Sequence, residues 1–202
     1  MLDAPVRLVI DPPLNRAGRA LARRGIGADS VTLVGLALGL GAALMIALGL
    51  TALALIPLLA SRLADGLDGA IARATQPSDF GGFLDITADF LFYGAIPLAF
   101  VLADPDRNGL AGAVLLAAFY FNGSSFLALA IMAAKRGIKT SAQGLKSLYY
   151  SNGLLEGTET ILFFVLICLF PQAFVLMAWI FALLCFVSGG LRVWGARHLL
   201  SD

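Results

Sequence analysis

Apolar residues run along this chain in long blocks, broken only by short polar, glycine or proline punctuation. A bilayer-spanning helix needs about 20 predominantly apolar residues. The pattern predicts six such spans, at about 30–49, 52–74, 80–103, 109–133, 147–169 and 173–196. Only Gly49, Leu50 and Thr51 separate the first two. The run from Val31 to Ala60 is too long for one span of ordinary tilt, so a tight turn is expected near Gly49. Asp104, Pro105, Asp106 and Arg107 mark the turn between spans three and four, and Pro171 marks that between five and six. Ahead of the first span, Leu8 to Arg24 reads as an amphipathic helix lying on the membrane surface. Leu14, Gly18, Leu21 and Ala22 would face lipid, and Arg16, Arg19, Arg23 and Arg24 the anionic head groups. The expected fold is an all-α polytopic membrane protein with six transmembrane helices and an N-terminal interfacial amphipathic helix. With no repeat and no low-complexity linker, residues 1–202 are expected to form a single domain.

Composition agrees with this picture. The 202 residues are 59% hydrophobic and 13% charged, with a mean hydropathy of +0.89, far too apolar for an ordinary soluble domain. The net charge of +1 is uninformative, because the charges are local. Arg7, Arg16, Arg19, Arg23, Arg24, Lys135, Arg136, Lys139, Lys146 and Arg197 fall on one side of a six-span arrangement and Arg107 on the other, which places both termini in the cytoplasm. The N-terminal stretch carries acids, arginines and a proline pair before any long apolar run, so it is not read as a signal peptide. Cys168 and Cys185 lie in predicted spans at a spacing that suggests neither disulfide nor metal knuckle, and are read as buried small hydrophobes. Gly35, Gly39, Gly41, Gly189, Gly190 and Gly195 suit close helix packing.

The chemistry is concentrated between residues 65 and 89. Asp65 and Asp68 are three apart in the second span, and Asp85 and Asp89 are four apart in the third. Each pair projects from one helix face, and the short Pro77-containing connection brings the faces together. A carboxylate in hydrocarbon costs at least about 2.5–3.5 kcal/mol on insertion scales, so four demand neutralisation and an opening to water. Oxygen donors of this kind suit Mg²⁺ or Mn²⁺, two ions being the expectation, with substrate phosphates completing the site. Zinc is not indicated, since His198 is the sole histidine. Spacing alone leaves two classes open: phosphoryl chemistry, and a cation or metal transporter built on intramembrane aspartates.

Asp65-x-x-Asp68-Gly69-x-x-Ala72-Arg73, followed by Gly81-x-x-x-Asp85-x-x-x-Asp89, resembles the signature of the CDP-alcohol phosphatidyltransferase family. The whole chain is similar to an uncharacterised bacterial inner-membrane branch of that family more than to its glycerol-phosphate or inositol-phosphate enzymes. The resemblance implies metal-dependent transfer of a phosphatidyl group from CDP-diacylglycerol to a small polar alcohol, with release of CMP, as a step of phospholipid biosynthesis. It implies that Asp65, Asp68, Asp85 and Asp89 are metal ligands and that Asp89 is also the general base. Gly66, Gly69, Ala72, Arg73 and Gly81 match the part of the motif that surrounds the CDP moiety. It further implies a bacterial inner-membrane location, an active site facing the cytoplasm, membrane lipids and a second copy of the chain as partners, and no nucleic acid. Two departures stand out. Seven residues, Ala74 to Phe80, separate the Ala-Arg pair from Gly81 where the family has eight, and Asp29 stands where an asparagine is usual, with Thr32 retained. A catalytically degenerate, nucleotide-binding membrane protein is the reading these departures would favour.

The acceptor has no clear signature. Lys135 and Arg192, near predicted helix ends, are expected acceptor-phosphate contacts by resemblance, whereas Arg136 and Lys139 read as cytoplasmic anchors. Glu156 and Glu159, three apart in the fifth span, should face the interior or its mouth. They would either select a cationic or polyhydroxylated acceptor or balance an internal base such as Arg192 or Lys146. Phe92 to Pro97 is similar to a glycine-proline segment of phosphatidylserine-forming members, which leans away from glycerol phosphate.

Overall fold

A computed structural model describes residues 3–137, 155 and 157–200. Every regular element in them is helical: α1 (Asp3–Arg23), α2 (Ala28–Ala47), α3 (Thr51–Ala74), α4 (Asp79–Ala103), α5 (Pro105–Lys135), α6 (Gly157–Leu169), a 3₁₀ turn (Pro171–Ala173) and α7 (Phe174–Leu200). Helices α2, α4 and α5, and the stretch from Pro171 to Leu200, are long and apolar enough to cross a bilayer. The protein is therefore an all-α polytopic membrane protein with several long apolar helices. Helix α3 has the length of a span but carries Arg62, Asp65, Asp68 and Arg73. Helix α6 is apolar but only 13 residues long as described, because the start of the expected fifth span lies outside the described residues.

The division near Gly49 follows expectation, and the mechanism is explicit. Gly49 adopts φ +80°, its N–H donates to the Ile46 carbonyl, and the Leu50 N–H reaches back to Met45. This pair of bonds closes α2 in a Schellman motif, for which a glycine in the left-handed region is the usual requirement. Gly25 (φ +77°) ends α1 in the same way. Asp104 caps α5 by accepting from the Arg107 N–H, so that helix begins four residues earlier than hydropathy suggested, with Pro105 in its first turn.

Helix α2 packs against both α3 and α4, α5 packs on α4 and α7, and α1 lies against α3. The core is aromatic: Phe92, Phe164, Phe100 and Phe174 are fully buried, and Phe100 stacks on Phe174 at 4.7 Å. Cys168 and Cys185 are buried as expected. On the side away from the acidic cluster, Arg107 donates to the Gln172 side chain (2.8 Å) and backbone carbonyl (2.6 Å), tying the start of α5 to the 3₁₀ turn.

One expectation is corrected here. Leu14 and Gly18 of α1 do not face lipid. A Cβ at Gly18 would lie 2.6 Å from that of Ala70, and one at Gly66 would lie 2.7 Å from Leu14 Cδ1. The small-residue face of α1 is thus spent on close packing against α3, while Arg16, Arg19, Arg23 and Arg24 remain exposed. Helix α1 also begins well before Leu8, running through Pro12 and Pro13.

Candidate active site and metal centre

Only Thr75, Gln76, Pro77 and Ser78 connect α3 to α4. Ser78 caps α4 by accepting from the Gly81 N–H at 2.9 Å. The connection is shorter than the family spacing, yet the cap sets α4 so that Asp85 and Asp89, one turn apart, share the face turned towards α3. There Asp65, Asp85 and Asp89 converge, with carboxylate oxygens within 4.8 Å of one another. Oxygens on one small octahedral cation stand about 3.0 Å apart when cis and about 4.2 Å when trans, so side-chain adjustments of about an ångström would bring these together. The donors are hard oxygens, and the triad is capable of holding a divalent ion.

Asp68 lines the same pocket as Asp65 and Arg62 but is not among the three whose oxygens meet. It is 4% exposed, and its Oδ2 accepts from the Thr32 hydroxyl at 2.6 Å, a bond joining α2 to α3. Four carboxylates were expected to converge; the structure brings oxygens of three within 4.8 Å of one another and holds the fourth, Asp68, on Thr32 in the wall of the pocket that Asp65 and Arg62 also line.

The residue that hydropathy and motif reading passed over is Arg62. Its Nη1 lies 2.7 Å from Asp89 Oδ1 and 3.6 Å from Asp65 Oδ1, and its Nη2 donates to Ser61 Oγ at 3.1 Å. The guanidinium stacks over the Phe92 ring, 3.9 Å from its centroid. The available signal was its place one turn before Asp65, since residues three apart share a helix face. Phe92 in turn sits where Gly39 has no side chain, because a Cβ there would come within 2.6 Å of the ring.

The residues expected around the nucleotide divide into two groups. Gly69 is open, with only the Arg73 guanidinium (3.2 Å) near the place of a Cβ, and Arg73 itself is exposed and donates to Asn15 of α1 at 3.1 Å. Ala72 is half-buried beside them. By contrast, Gly66 is filled by Leu14, and a Cβ at Gly81 would lie 3.0 Å from both Asp29 Oδ1 and Ser78 Oγ. Asp29, in the place of the usual asparagine, thus borders the start of α4.

The described acceptor candidates lie on three helices, α5, α6 and α7. Lys135 is exposed at the end of α5. Neighbouring Arg136, read as an anchor, donates to the Leu200 carbonyl at 2.7 Å and so satisfies the end of α7. Arg192 is buried, its Nη1 donating to the Asn122 carbonyl, the Asn122 side chain and Ser125 Oγ at 2.9, 2.9 and 2.7 Å. Glu159 is half-buried in the first turn of α6. Glu156, Lys139 and Lys146 lie outside the described residues.

Residues 26–194 match the family model of the CDP-alcohol phosphatidyltransferases. The chain belongs to that family. It is 52% identical over 202 residues to inner membrane protein YnjF of Escherichia coli, a match covering all of this chain and 98% of the relative. It is 34% identical over 142 residues to archaetidylinositol phosphate synthase of Pyrococcus horikoshii, covering 65% of this chain and 74% of that one. Its fold is that of the Mycobacterium tuberculosis phosphatidylinositol phosphate synthase solved with CDP-DAG bound, with a TM-score of 0.66 at 20% identity over 91% of this chain and 93% of that one. The family is one of membrane transferases that move a phosphatidyl group from a CDP-linked lipid to a polar alcohol, and the aspartate cluster of this chain lies within the matched region.

Proposed function

We propose that this protein transfers the phosphatidyl group of CDP-diacylglycerol to a small polar alcohol at the mouth of α3 and α4, releasing CMP. The observation that carries this reading is the convergence of Asp65, Asp85 and Asp89 in the family's signature. Asp65, Asp85 and Asp89, together with Asp68, would hold Mg²⁺ or Mn²⁺, two ions matching the carboxylate number. Bound there, the cations would offset charge on the pyrophosphate and assist departure of CMP. Asp89 would accept the proton of the attacking hydroxyl as the P–O bond forms. Gly69, Ala72 and Arg73 form the open side on which the cytidine nucleotide would lie, with Gly66 and Gly81 supporting that wall through α1 and Asp29.

Residues 1–202 act as one domain in this proposal. It has six spans, α3 and the expected fifth span at about 147–169 joining the four long apolar helices, and α1 at the interface with its arginines towards anionic head groups. The bias of basic residues supports cytoplasmic termini and a cytoplasm-facing site in a bacterial inner membrane, and a homodimer is compatible with it. Arg62 and Phe92 argue against ion transport: they stand one turn nearer the helix middle than Asp65 and Asp89 and put a cation and a ring across the floor of the acidic cluster. For the acceptor, Lys135 and Arg192 would contact a phosphate, or Glu156 and Glu159 a cationic alcohol.

The test is to incubate purified protein with CDP-diacylglycerol, Mg²⁺ or Mn²⁺ and a panel of alcohols, and to follow CMP. Metal-dependent CMP release with one alcohol class is expected. A folded protein that binds CDP-lipid and releases no CMP with any acceptor would instead be the degenerate, nucleotide-binding form.

A further inference from the structure

Among the described residues, Arg62 is the cation that touches the metal triad, and it belongs to no part of the aspartate signature. Its place is built by three helices. Gly39 of α2 leaves the space that Phe92 of α4 fills, and Phe92 carries the guanidinium that Ser61 of α3 orients. The side chain is only 14% exposed, so its charge is poorly screened. It bridges Asp89 and Asp65, two of the three carboxylates that would bind a divalent ion. An arginine held this way does two opposed things. It offsets carboxylate repulsion, which steadies the α3–α4 pair, and it places a positive charge beside any incoming cation, which weakens metal binding.

We propose that Arg62 is a resident counter-cation that holds Asp65 and Asp89 together without metal and sets a low divalent affinity for the cluster. Metal would then bind tightly only alongside the negative charge of the CDP-lipid pyrophosphate, so that donor and cation are taken up together. The inference rests on the reading of Asp65, Asp85 and Asp89 as metal ligands, and its test needs no turnover.

Mn²⁺ binding to the purified protein in nanodiscs is measured from the signal of the free ion, beside melting in EDTA and in saturating Mn²⁺. Arg62→Gln is expected to bind Mn²⁺ at least about tenfold more tightly than the native protein. It should melt lower in EDTA and recover most of that loss with Mn²⁺. Arg62→Lys, which keeps the charge, should bind within about threefold of the native protein. A glutamine variant that folds only with Mn²⁺ also supports the proposal; one that stays unfolded in saturating Mn²⁺ overturns it, because the ion then cannot replace the guanidinium. Unchanged or weaker Mn²⁺ binding by folded Arg62→Gln likewise overturns it while leaving the metal site intact. Absence of any Mn²⁺ binding that Asp85→Asn reduces would sink the metal reading itself.

Discussion

Thr32 donates its hydroxyl to Asp68 across the α2–α3 interface at 2.6 Å, and both residues are buried. The bond ties Asp68 to α2, whose Thr32 and Gly35 line the same pocket as Asp65 and Arg62, and so makes α2 part of the site. Replacing Thr32 with Val keeps the shape but strands a buried carboxylate oxygen, a loss on the order of 1–3 kcal/mol. Thr32→Val should therefore melt lower and bind CDP-lipid more weakly, whereas Thr32→Ser, which keeps the hydroxyl, should stay near the native protein. Equal behaviour of the two variants in a melting and lipid-binding comparison would show that the hydroxyl bond is dispensable.

The split between Asp68 and the triad separates two further variants. Asp89→Asn removes the proposed base and its pairing with Arg62, so CMP release should fall at least about 100-fold while CDP-lipid binding is partly kept. Asp68→Ala removes the carboxylate held on Thr32 and should damage binding as well as turnover. Chelation should abolish CMP release in the native protein, and Mg²⁺ or Mn²⁺ should restore it. Asp89→Asn with native CMP release would refute the base assignment.

Much of this was legible from residue order alone. Helix existence followed from apolar block length, the α2–α3 division from Gly49, and the meeting of Asp65 with Asp85 and Asp89 from helical spacing across a short connection. What escaped has a common physical cause, since spacing gives faces but not partners. Asp68 shares a face with Asp65, yet its partner is Thr32, 36 positions earlier in the chain. Arg62 was one more charge in an apolar run until α4 supplied Asp89 and Phe92. The apolar side of α1 was assigned to lipid because an amphipathic pattern cannot say whether lipid or another helix covers it. Here Gly18 and Gly66 let α3 do so.

Docking of α1 gives a graded prediction. A Cβ at Gly18 would meet Ala70 Cβ at 2.6 Å and the Ala70 carbonyl carbon at 2.8 Å, and the backbone cannot step aside. At Gly66 the clash is with the flexible end of Leu14 at 2.7 Å. Gly18→Ala should thus cost about 1–3 kcal/mol, as overpacking does, and loosen the Asn15–Arg73 contact with some loss of CDP-lipid affinity. Gly66→Ala should be milder in both measurements. The reverse order in paired melting curves would mean that Gly66 serves a ligand rather than α1.

Acceptor choice is tested at Glu156 and Glu159. If Glu156 and Glu159 select a cationic alcohol, changing both to Gln should impair use of the best amino-alcohol at least about tenfold more than CDP-lipid binding, since each carboxylate lost removes a charge-assisted contact worth about 1.5–3 kcal/mol. If they balance buried bases instead, acceptor use, lipid binding and melting temperature should decline together, because an unpaired buried charge is expensive. The half-buried position of Glu159 is compatible with both outcomes. An acceptor competition assay beside a melting curve distinguishes them, and a double variant unchanged in both would place the pair outside acceptor choice and outside the internal charge balance.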